Sequence, residues 1–131
     1  MEAITGRVRE LIEGSNFCFI GTIRKDGTAH VHPVWIGIEG DTLIVNTAGG
    51  RIWPRNVRRE PRVTLTVPDS RNPYEYVEIR GRAVDETRDG AVASIHELAR
   101  KYIGQDYPLA PDEQRILFRV QPDTVVHRVM G

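Results

Sequence analysis

The fold is decided between residues 17 and 47, which read FCFIGTIRKDGTAHVHPVWIGIEGDTLIVNT. Three runs rich in β-branched and aromatic residues are separated here by short polar turns, and they cover Phe17–Ile23, Ala29–Ile38 and Thr42–Thr47. The first turn carries Asp26-Gly27, a pair typical of β-hairpins. Because parallel strands need long crossovers, the short turns predict that the three strands form an antiparallel meander.

The rest of the chain continues the pattern with four more strands and three helices. Alternation of apolar and polar residues predicts strands at Arg62–Val67, Tyr74–Glu86, Arg115–Val120 and Val125–Met130. Apolar residues at helical spacing predict helices at Ala3–Glu13, Pro54–Glu60 and Gly90–Ile103. Gly81, inside the long fifth strand, indicates a bulge or a sharp bend. About seven strands with one principal helix predict a mainly β protein, a small barrel without exposed sheet edges.

The composition restricts the class of protein. The 131 residues include 18 Lys and Arg against 18 Asp and Glu, and this neutrality argues against a broad nucleic-acid-binding surface. No apolar run approaches the roughly 20 residues that cross a bilayer, and no signal peptide is recognised. Cys18 is the only cysteine, which excludes an intrachain disulfide and fits a reducing compartment. We therefore expect one domain over residues 1–131, cytoplasmic and without a membrane partner.

The densest local feature is the segment Gly49–Arg62, GGRIWPRNVRREPR. Sixteen of the eighteen cations are arginine, and five of them lie in this segment beside a single acid, Glu60. Glycines, a helix start at Pro54 and forked guanidinium groups are what a phosphate or carboxylate needs for binding. The segment is equally consistent with a solvated helix face whose arginines pair with acids elsewhere.

No side-chain catalytic set is visible in the sequence. His30 and His32 lie two apart on one strand face, but no third ligand stands at a diagnostic spacing, so structural histidines are favoured over a metal site. Cys18 lies in an apolar strand and is expected to be buried and unreactive. Phosphate-binding loops, nucleophile elbows and zinc-binding helix motifs are absent. If the protein is an enzyme, we expect a cofactor to carry the chemistry.

An ordered series of segments links the chain to a known family. It runs from the first strands through LIVNTAGGR, RNVRREPRVTLTV and NPYEYVEIRGRAV to IHELARKYIGQDYP. The series resembles the pyridoxamine-phosphate-oxidase-like split β-barrel superfamily, most closely its actinobacterial branch, which uses the 8-hydroxy-5-deazaflavin coenzyme F-420. The resemblance implies a six- or seven-stranded antiparallel split barrel of the FMN-binding type. It also implies a homodimer, formed along a broad sheet face, with two cofactor grooves between the subunits.

The resemblance assigns cofactor-binding roles by position, to Pro33, Val34, Trp35, Asn46, Thr47, Arg51, Trp53, Arg55, Asn56 and Tyr76. The first three would lie along one side of the ring system, and the next two would flank its polar edge. The two arginines and Asn56 would reach the phosphate, while Tyr76, with Tyr74, would contribute from the partner subunit. Trp53 departs from the family pattern, because many members carry lysine at this position. Its indole could instead stack on the cofactor or close the groove.

The function implied by the resemblance is that of an oxidoreductase, with hydride passing between coenzyme F-420 and a small unsaturated or quinone-like organic substrate. Two alternatives stay open: the same barrel holding FMN as an oxidase or flavin reductase, and a non-catalytic protein that binds or carries F-420. A long anionic tail suits an arginine-rich groove better than a single phosphate does, which favours F-420 over FMN. A tyrosine hydroxyl, His32 or solvent could deliver the accompanying proton.

Overall fold

A computed structural model describes residues 2–130, within which the chain folds into three helices and seven strands. The helices are α1 (Gly6–Glu13), α2 (Ile52–Arg59) and α3 (Ala91–Ile103). The strands are β1 (Cys18–Ile23), β2 (Ala29–Val34), β3 (Ile36–Glu39), β4 (Thr42–Ala48), β5 (Arg62–Asp69), β6 (Asn72–Thr87) and β7 (Arg115–Val129). The predicted mainly β class is confirmed. Within this part of the chain no helix is long and apolar enough to cross a membrane.

All seven strands belong to one antiparallel sheet, in the order β2-β1-β5-β6-β7-β4-β3. The two edge strands, β2 and β3, are consecutive in the chain and are separated only by Trp35. Because Val34 ends one edge and Ile36 begins the other, the sheet has to bend round until its edges meet at this residue. Among the described residues β2 and β3 form no ladder with each other. The sheet is therefore a split barrel, as the resemblance implies.

The predicted three-strand meander is wrong. The run Ala29–Ile38 is divided at Trp35, so that β2 pairs with β1 while β3 pairs with β4, on opposite edges of the sheet. The N–H of Ile36 contributes to this division, because it donates to the hydroxyl of Tyr102, at 3.2 Å, where β3 begins. The two hairpins themselves form as predicted.

The last two predicted strands are one strand, β7, which runs through Pro122. A proline normally interrupts a ladder because it has no N–H to donate. Here Pro122 pairs with Gly81, next to a register shift in β6 between Arg80 and Gly81. A Cβ on Gly81 would lie 2.3 Å from the carbonyl oxygen of Gln121, so the close approach of β6 and β7 requires glycine. The bulge predicted at Gly81 is confirmed.

Apolar side chains from every strand and from α1 and α2 fill the inside of the barrel. Trp53, in α2, packs against Phe118 of β7 with ring centroids 5.1 Å apart, and it is the largest fully buried side chain. The third helix lies on the other face of β4 and β7, where Ala91 packs with Ile44 and Leu117. The helix α3 therefore covers the part of the sheet that leads to the split.

Candidate functional site

A cavity of about 250 Å³ opens beside Trp35, at the point where the sheet is split. Its walls come from several elements and consist of Phe17, His32, Pro33, Val34, Trp35, Asn46, Thr47, Arg51, Trp53, Ile95, Tyr107 and Arg115. Seven of the ten residues that were predicted to bind a cofactor are in this wall. The three outside it are Arg55, Asn56 and Tyr76.

Two ladders bring distant residues to the cavity. The strand β3 pairs with β4 so that Ile36, the residue after Trp35, faces Val45, the residue before Asn46. The strand β4 also pairs with β7, so that the end of β4 lies beside Arg115. After β4 the chain turns through two glycines into α2, whose start completes the wall.

An aromatic stack forms one side of the cavity. The ring of Trp35 lies parallel to that of Tyr102, with centroids 5.3 Å apart and 5° between the planes. Phe17 also stacks on Tyr102, at 5.8 Å and 24°, and Tyr107 meets Trp35 edge-on, at 6.3 Å and 88°. Stacked and edge-on pairs at these spacings are favourable arrangements for aromatic rings. The stack holds the indole of Trp35 in one orientation and covers one of its two faces.

Two side chains of α3 fix this stack to the backbone. The hydroxyl of Tyr102 donates to the carbonyl of Asn16, at 2.6 Å, and accepts from the N–H of Ile36, at 3.2 Å. Burial raises the pKa of Tyr102 to about 12, so the phenol keeps the proton that it donates. The ammonium of Lys101 donates to the carbonyls of Ile12 and Ile36, and burial lowers its pKa to about 8. The position of Trp35 therefore depends on α3.

A buried guanidinium, on Arg115, forms the inner side of the cavity. Its Nε donates to the Oδ1 of Asn46, at 3.0 Å, and its Nη1 donates to a carboxylate oxygen of Glu113, at 2.7 Å. The hydrogen bond from Arg115 holds the pKa of Glu113 below its usual range. The guanidinium carbon lies 4.8 Å from the ring centroid of Tyr107, while the amide of Asn46 donates to the carbonyl of Ala91, at 2.8 Å. These contacts connect β4, β7 and α3 around one positive charge.

Of the five arginines in the segment Gly49–Arg62, Arg51 is the one that lines the cavity. Three of the five arginines are bound within the protein: Arg58 to Glu86, Arg59 to the carbonyl of Ile23, and Arg62 to Glu60. Arg51 and Arg55 are exposed and make no ion pair with any residue from 2 to 130. Most of the segment is thus a paired helix face, and Arg51 is the cation that it presents to the cavity.

The structure places three predicted site residues away from the cavity. Asn56 is buried, and its amide donates to the hydroxyl of Thr22, at 3.0 Å, which fastens α2 to β1. Arg55 lies on the exposed side of α2, and Tyr76 is half-buried in β6 opposite Arg128. The amide of Asn56 is thus used inside the protein, and its predicted contact with a phosphate stays a prediction. For Tyr76, a contribution across a subunit interface stays a prediction.

Trp53 lines the cavity as a core residue. It is 2 % exposed, and its ring already packs against Phe118. This position is thus filled by an apolar side chain that stabilises the barrel. Contact of the indole with a cofactor stays a prediction.

The histidine pair and the single cysteine differ in their access to the cavity. The ring of His32 stacks on that of His30, with centroids 6.1 Å apart, and the Nδ1 of His30 is buried without a hydrogen-bond partner among the described residues. Burial, and then the positive charge of Arg51, lower the pKa of His32, so its imidazole is neutral at neutral pH. Cys18 is buried as predicted, and burial raises the pKa of its thiol. Residues 2–130 contain no group of three His, Cys, Asp or Glu side chains placed to hold a metal.

Sequence reasoning missed several members of the wall, of which Arg115 is the most informative. It begins a strand that alternates in the ordinary way, and its partner Asn46 lies 69 residues earlier in the chain. Tyr107 lies in the irregular segment after α3, which carries no local signal of a site. The one local clue is the acid Glu113, two residues before the arginine, and such a pair is common on protein surfaces.

A second and larger hollow, of about 620 Å³, lies on the outer face of β1, β2, β5 and β6. Its apolar members include Phe19, Ile23 and Val31, all of them exposed. An ion pair between Arg82 and Asp123, at 2.9 Å, lies in its wall. Arginines also line this hollow, but Phe19 is the one aromatic side chain among the described residues of its wall, whereas four aromatic side chains line the cavity at Trp35. The smaller cavity is therefore the candidate functional site.

Comparisons with known proteins agree with this fold. The family model described as pyridoxamine 5'-phosphate oxidase matches residues 4–128. No curated protein matches the chain. Among solved structures, one described as F420 Reductase has a TM-score of 0.83 and 27 % sequence identity, with 94 % of this chain and 98 % of that chain covered.

Two more distant structures are similar in fold alone. A conserved hypothetical protein from Mycobacterium tuberculosis has a TM-score of 0.74 and 17 % identity, covering 97 % of this chain and 86 % of that chain. General Stress Protein 26 from Bacillus anthracis has a TM-score of 0.70 and 20 % identity, covering 91 % and 88 % respectively. The backbone described above is thus shared among proteins whose sequences have diverged widely.

Proposed function

Because this chain belongs to the pyridoxamine 5'-phosphate oxidase family, we propose that it is an oxidoreductase that uses the deazaflavin coenzyme F-420. The observation that carries the proposal is the cavity at Trp35, which gathers seven of the expected cofactor residues around Arg51. The likeness to the structure described as F420 Reductase, over 94 % of this chain, favours this cofactor over FMN. The substrate would be a small unsaturated or quinone-like organic molecule.

The residues of the cavity fit a planar cofactor with an anionic tail. Trp35 lines the cavity and is held in one orientation by its stack on Tyr102, so its indole is positioned to contact a ring system. Arg51 precedes the first turn of α2, where unpaired backbone N–H groups also favour an anion. Arg55, one turn further along α2, is exposed and can extend the positive surface toward a longer tail. In this arrangement Trp35 orients the rings and Arg51 binds the phosphate.

The protein would contribute orientation, exclusion of water and charge. When bound, the deazaflavin supplies or accepts the hydride. Val34 and Ile95 make part of the wall apolar, which keeps water away from the place where the rings meet. Two side chains of the wall can exchange a proton with a ligand, the neutral imidazole of His32 and the phenol of Tyr107.

The functional unit in this proposal is a homodimer. The cavity in one chain, about 250 Å³, is smaller than the roughly 300–1,000 Å³ of most ligand pockets, so we expect part of a long cofactor to lie outside it, against a second subunit. The hollow formed by the outer face of the sheet exposes Phe19, Ile23 and Val31, and a second copy would remove them from water. Light scattering tests this directly, since a strict monomer contradicts the shared groove.

The cofactor is tested on the purified protein by its visible spectrum, followed by separate fluorescence titrations with F-420 and FMN. Saturable binding of F-420 by a protein that contains no flavin supports the proposal. A yellow protein that releases FMN on denaturation contradicts it and identifies the FMN alternative. Binding of F-420 without reduction of any quinone-like acceptor identifies the non-catalytic carrier instead.

The role of Arg51 is tested by the substitution Arg51→Gln. We expect F-420 to bind at least about tenfold more weakly, a change of about 1.4 kcal/mol, because the phosphate loses its cation. The matched control is Arg58→Gln, which removes the same charge from the same segment but at a side chain that is paired with Glu86 outside the cavity. Titrations at one ionic strength should show a change below about twofold for the control. Equal losses of F-420 affinity in both variants would show that Arg51 acts only through the overall charge of the segment and does not bind the phosphate.

A further inference from the structure

The cavity at Trp35 contains two guanidinium groups that differ in burial and support. Arg51 is exposed, lies where α2 begins and has no ion pair with the described residues. Arg115 is 6 % exposed and lies at the start of β7, held by Asn46 and Glu113. A buried cation costs free energy even when it is paired, and an apolar residue at such a position often gives a more stable protein. The position of Arg115 therefore calls for a reason besides stability.

The hydrogen bonds of Arg115 leave one of its nitrogens uncommitted. Its Nε donates to Asn46, and its Nη1 donates to Glu113 and lies 3.5 Å from the hydroxyl of Tyr107. Its Nη2 has no acceptor among residues 2–130. Nη2 keeps some exposure to solvent, because the Nδ1 of His30 is the one fully enclosed polar side-chain atom without a partner in this part of the chain. Since Arg115 lines the cavity, the N–H groups of Nη2 are available to a ligand that enters it.

The partners of Arg115 hold it in place without saturating it. Asn46 is itself fixed, because its amide donates to the carbonyl of Ala91, at 2.8 Å. Glu113 supplies the one carboxylate, which offsets the buried charge but binds only one of the three nitrogens. A guanidinium fixed in this way presents its free N–H groups with little further loss of side-chain freedom when a ligand binds.

An aromatic side chain connects this guanidinium to the place where a ring would stack. The ring of Tyr107 lies 4.8 Å from the guanidinium carbon of Arg115 and meets Trp35 edge-on at 6.3 Å. Because Trp35, Tyr107 and Arg115 all line the same cavity, a planar molecule bound beside Trp35 also lies near Arg115. A carboxylate or similar oxygen anion on that molecule would accept a charge-assisted hydrogen bond from Nη2.

We propose that Arg115 forms a second anion-binding subsite of the cavity, separate from Arg51, and that it selects planar substrates carrying an anionic oxygen, such as aryl carboxylates. The catalytic meaning of this subsite rests on the proposed function, in which Arg51 binds the phosphate of the cofactor. The preference for an anion does not rest on it, because the subsite is built from residues of the chain alone.

The test compares benzoate, which is ionised at neutral pH, with benzamide, which has the same shape and no charge. Both are titrated into the unmodified protein without cofactor, with the fluorescence of the two tryptophans in the wall, Trp35 and Trp53, as the signal. We expect benzoate to bind at least about tenfold more tightly than benzamide, as a charge-assisted hydrogen bond predicts. Binding of neither probe, or equal binding of both, overturns the proposal.

The substitution Arg115→Gln assigns the preference to a residue. We expect the ratio of the two affinities to fall to within about twofold, while benzamide still binds, because only the charge interaction is lost. If Arg115 had only a structural role, Arg115→Gln would weaken the binding of both probes and leave the ratio of their affinities unchanged. That result would refute the subsite. The matched control is Arg58→Gln, which removes the same charge from a paired side chain outside the cavity and should leave the ratio unchanged. Loss of the ratio in Arg51→Gln, with the ratio kept in Arg115→Gln, would place the anion at Arg51 and overturn the proposal.

A measurement on the unmodified protein covers the case in which Arg115→Gln does not fold. Benzoate should shift the Nε–Hε resonance of Arg115 in nuclear magnetic resonance spectra, and benzamide should shift it much less. An unmoved resonance overturns the proposal. Failure of F-420 to bind in the separate titration, with the benzoate preference intact, would remove the proposed function and leave the subsite standing.

Discussion

The split at Trp35 and the ladders of β5, β6 and β7 are held together in different ways. The strand β6 pairs with neighbours on both sides from Tyr76 to Arg82, and with β7 alone from there to Thr87, so backbone hydrogen bonds determine positions there. Within the described chain no ladder joins β2 to β3, and Tyr102 and Lys101 hold that region by bonding to the backbone of Ile36. A region fixed by ladders tolerates side-chain changes but not backbone shifts, and a region fixed by side chains is adjustable. The cavity lies in the adjustable region.

The substitution Gly81→Ala should disturb the backbone of the ladder region and cause the largest loss of stability among the variants considered. The added Cβ would lie 2.3 Å from the carbonyl oxygen of Gln121, so β6 and β7 would have to separate. We expect the free energy of unfolding to fall by about 3 kcal/mol or more in urea denaturation. The control is Gly21→Ala in β1, where the nearest atom is 3.6 Å from the new Cβ, an ordinary contact. Similar stability of the two variants would mean that the close approach at Gly81 is unimportant.

A smaller effect is expected at the split itself, from Tyr102→Phe. The substitution leaves the N–H of Ile36 and the carbonyl of Asn16 without their partner, which should cost about 1–3 kcal/mol of stability. It should also shift the fluorescence of Trp35, because the ring that stacks on it is no longer anchored. Tyr74→Phe removes a hydroxyl from a side chain that is 64 % exposed and should change stability by less than about 0.5 kcal/mol. An unaltered fluorescence spectrum in Tyr102→Phe would show that the hydroxyl does not position the indole.

The smallest effect is expected from a side-chain interaction in the ladder region. Arg7 makes two hydrogen bonds to Glu75, at 2.8 and 2.9 Å, and His127 contacts the same carboxylate at 2.8 Å. These partners, Arg7 first, lower the pKa of Glu75 from 4.5 to about 2. The stabilisation is therefore complete above pH 4.5 and is lost as the pH falls toward 2, where the folded state also binds the proton.

The substitution Glu75→Gln should make the free energy of unfolding fall less steeply between pH 4.5 and about 2. The change is small because Arg7 is largely exposed and solvent screens the pair. Glu78→Gln, three residues further along β6, is the control, since Glu78 makes no ion pair within residues 2–130. Identical acid denaturation curves for the wild type and Glu75→Gln would show that this ion pair contributes nothing.

The ladder region was largely predictable from sequence, because its information is local. The alternation in Arg62–Val67 places apolar side chains on one face and predicted a strand there. The observed strand begins at the same residue and ends two residues later, at Asp69. A glycine inside a long strand was a sufficient signal for the bulge at Gly81. The close approach of Gln121 supplies the physical reason for that glycine.

The split and the inner wall of the cavity were not predictable in the same way. The run VHPVWIGI has no turn residues at its centre, and the break at Trp35 involves Tyr102, which lies 66 residues after Ile36 in the chain. Arg115 was missed for the same reason, since the side-chain Oδ1 that orients it belongs to Asn46 on another strand. Local patterns therefore indicated most of the strands, and the family resemblance indicated seven members of the wall. Contacts between distant residues determine how the cavity is closed.

The single-residue connection at Trp35 bears on how such a protein can evolve. Residues inserted at this point would lengthen the link between two hairpins and leave the pairing register of each hairpin intact. The entropic cost is modest, because each doubling of a flexible loop adds only about 0.6 kcal/mol. An insertion in β6 would instead move every following side chain to the opposite face of the sheet. A change of chain length at one position can therefore widen or narrow the cavity, and thereby alter which molecules enter it, while the rest of the barrel is inherited unchanged.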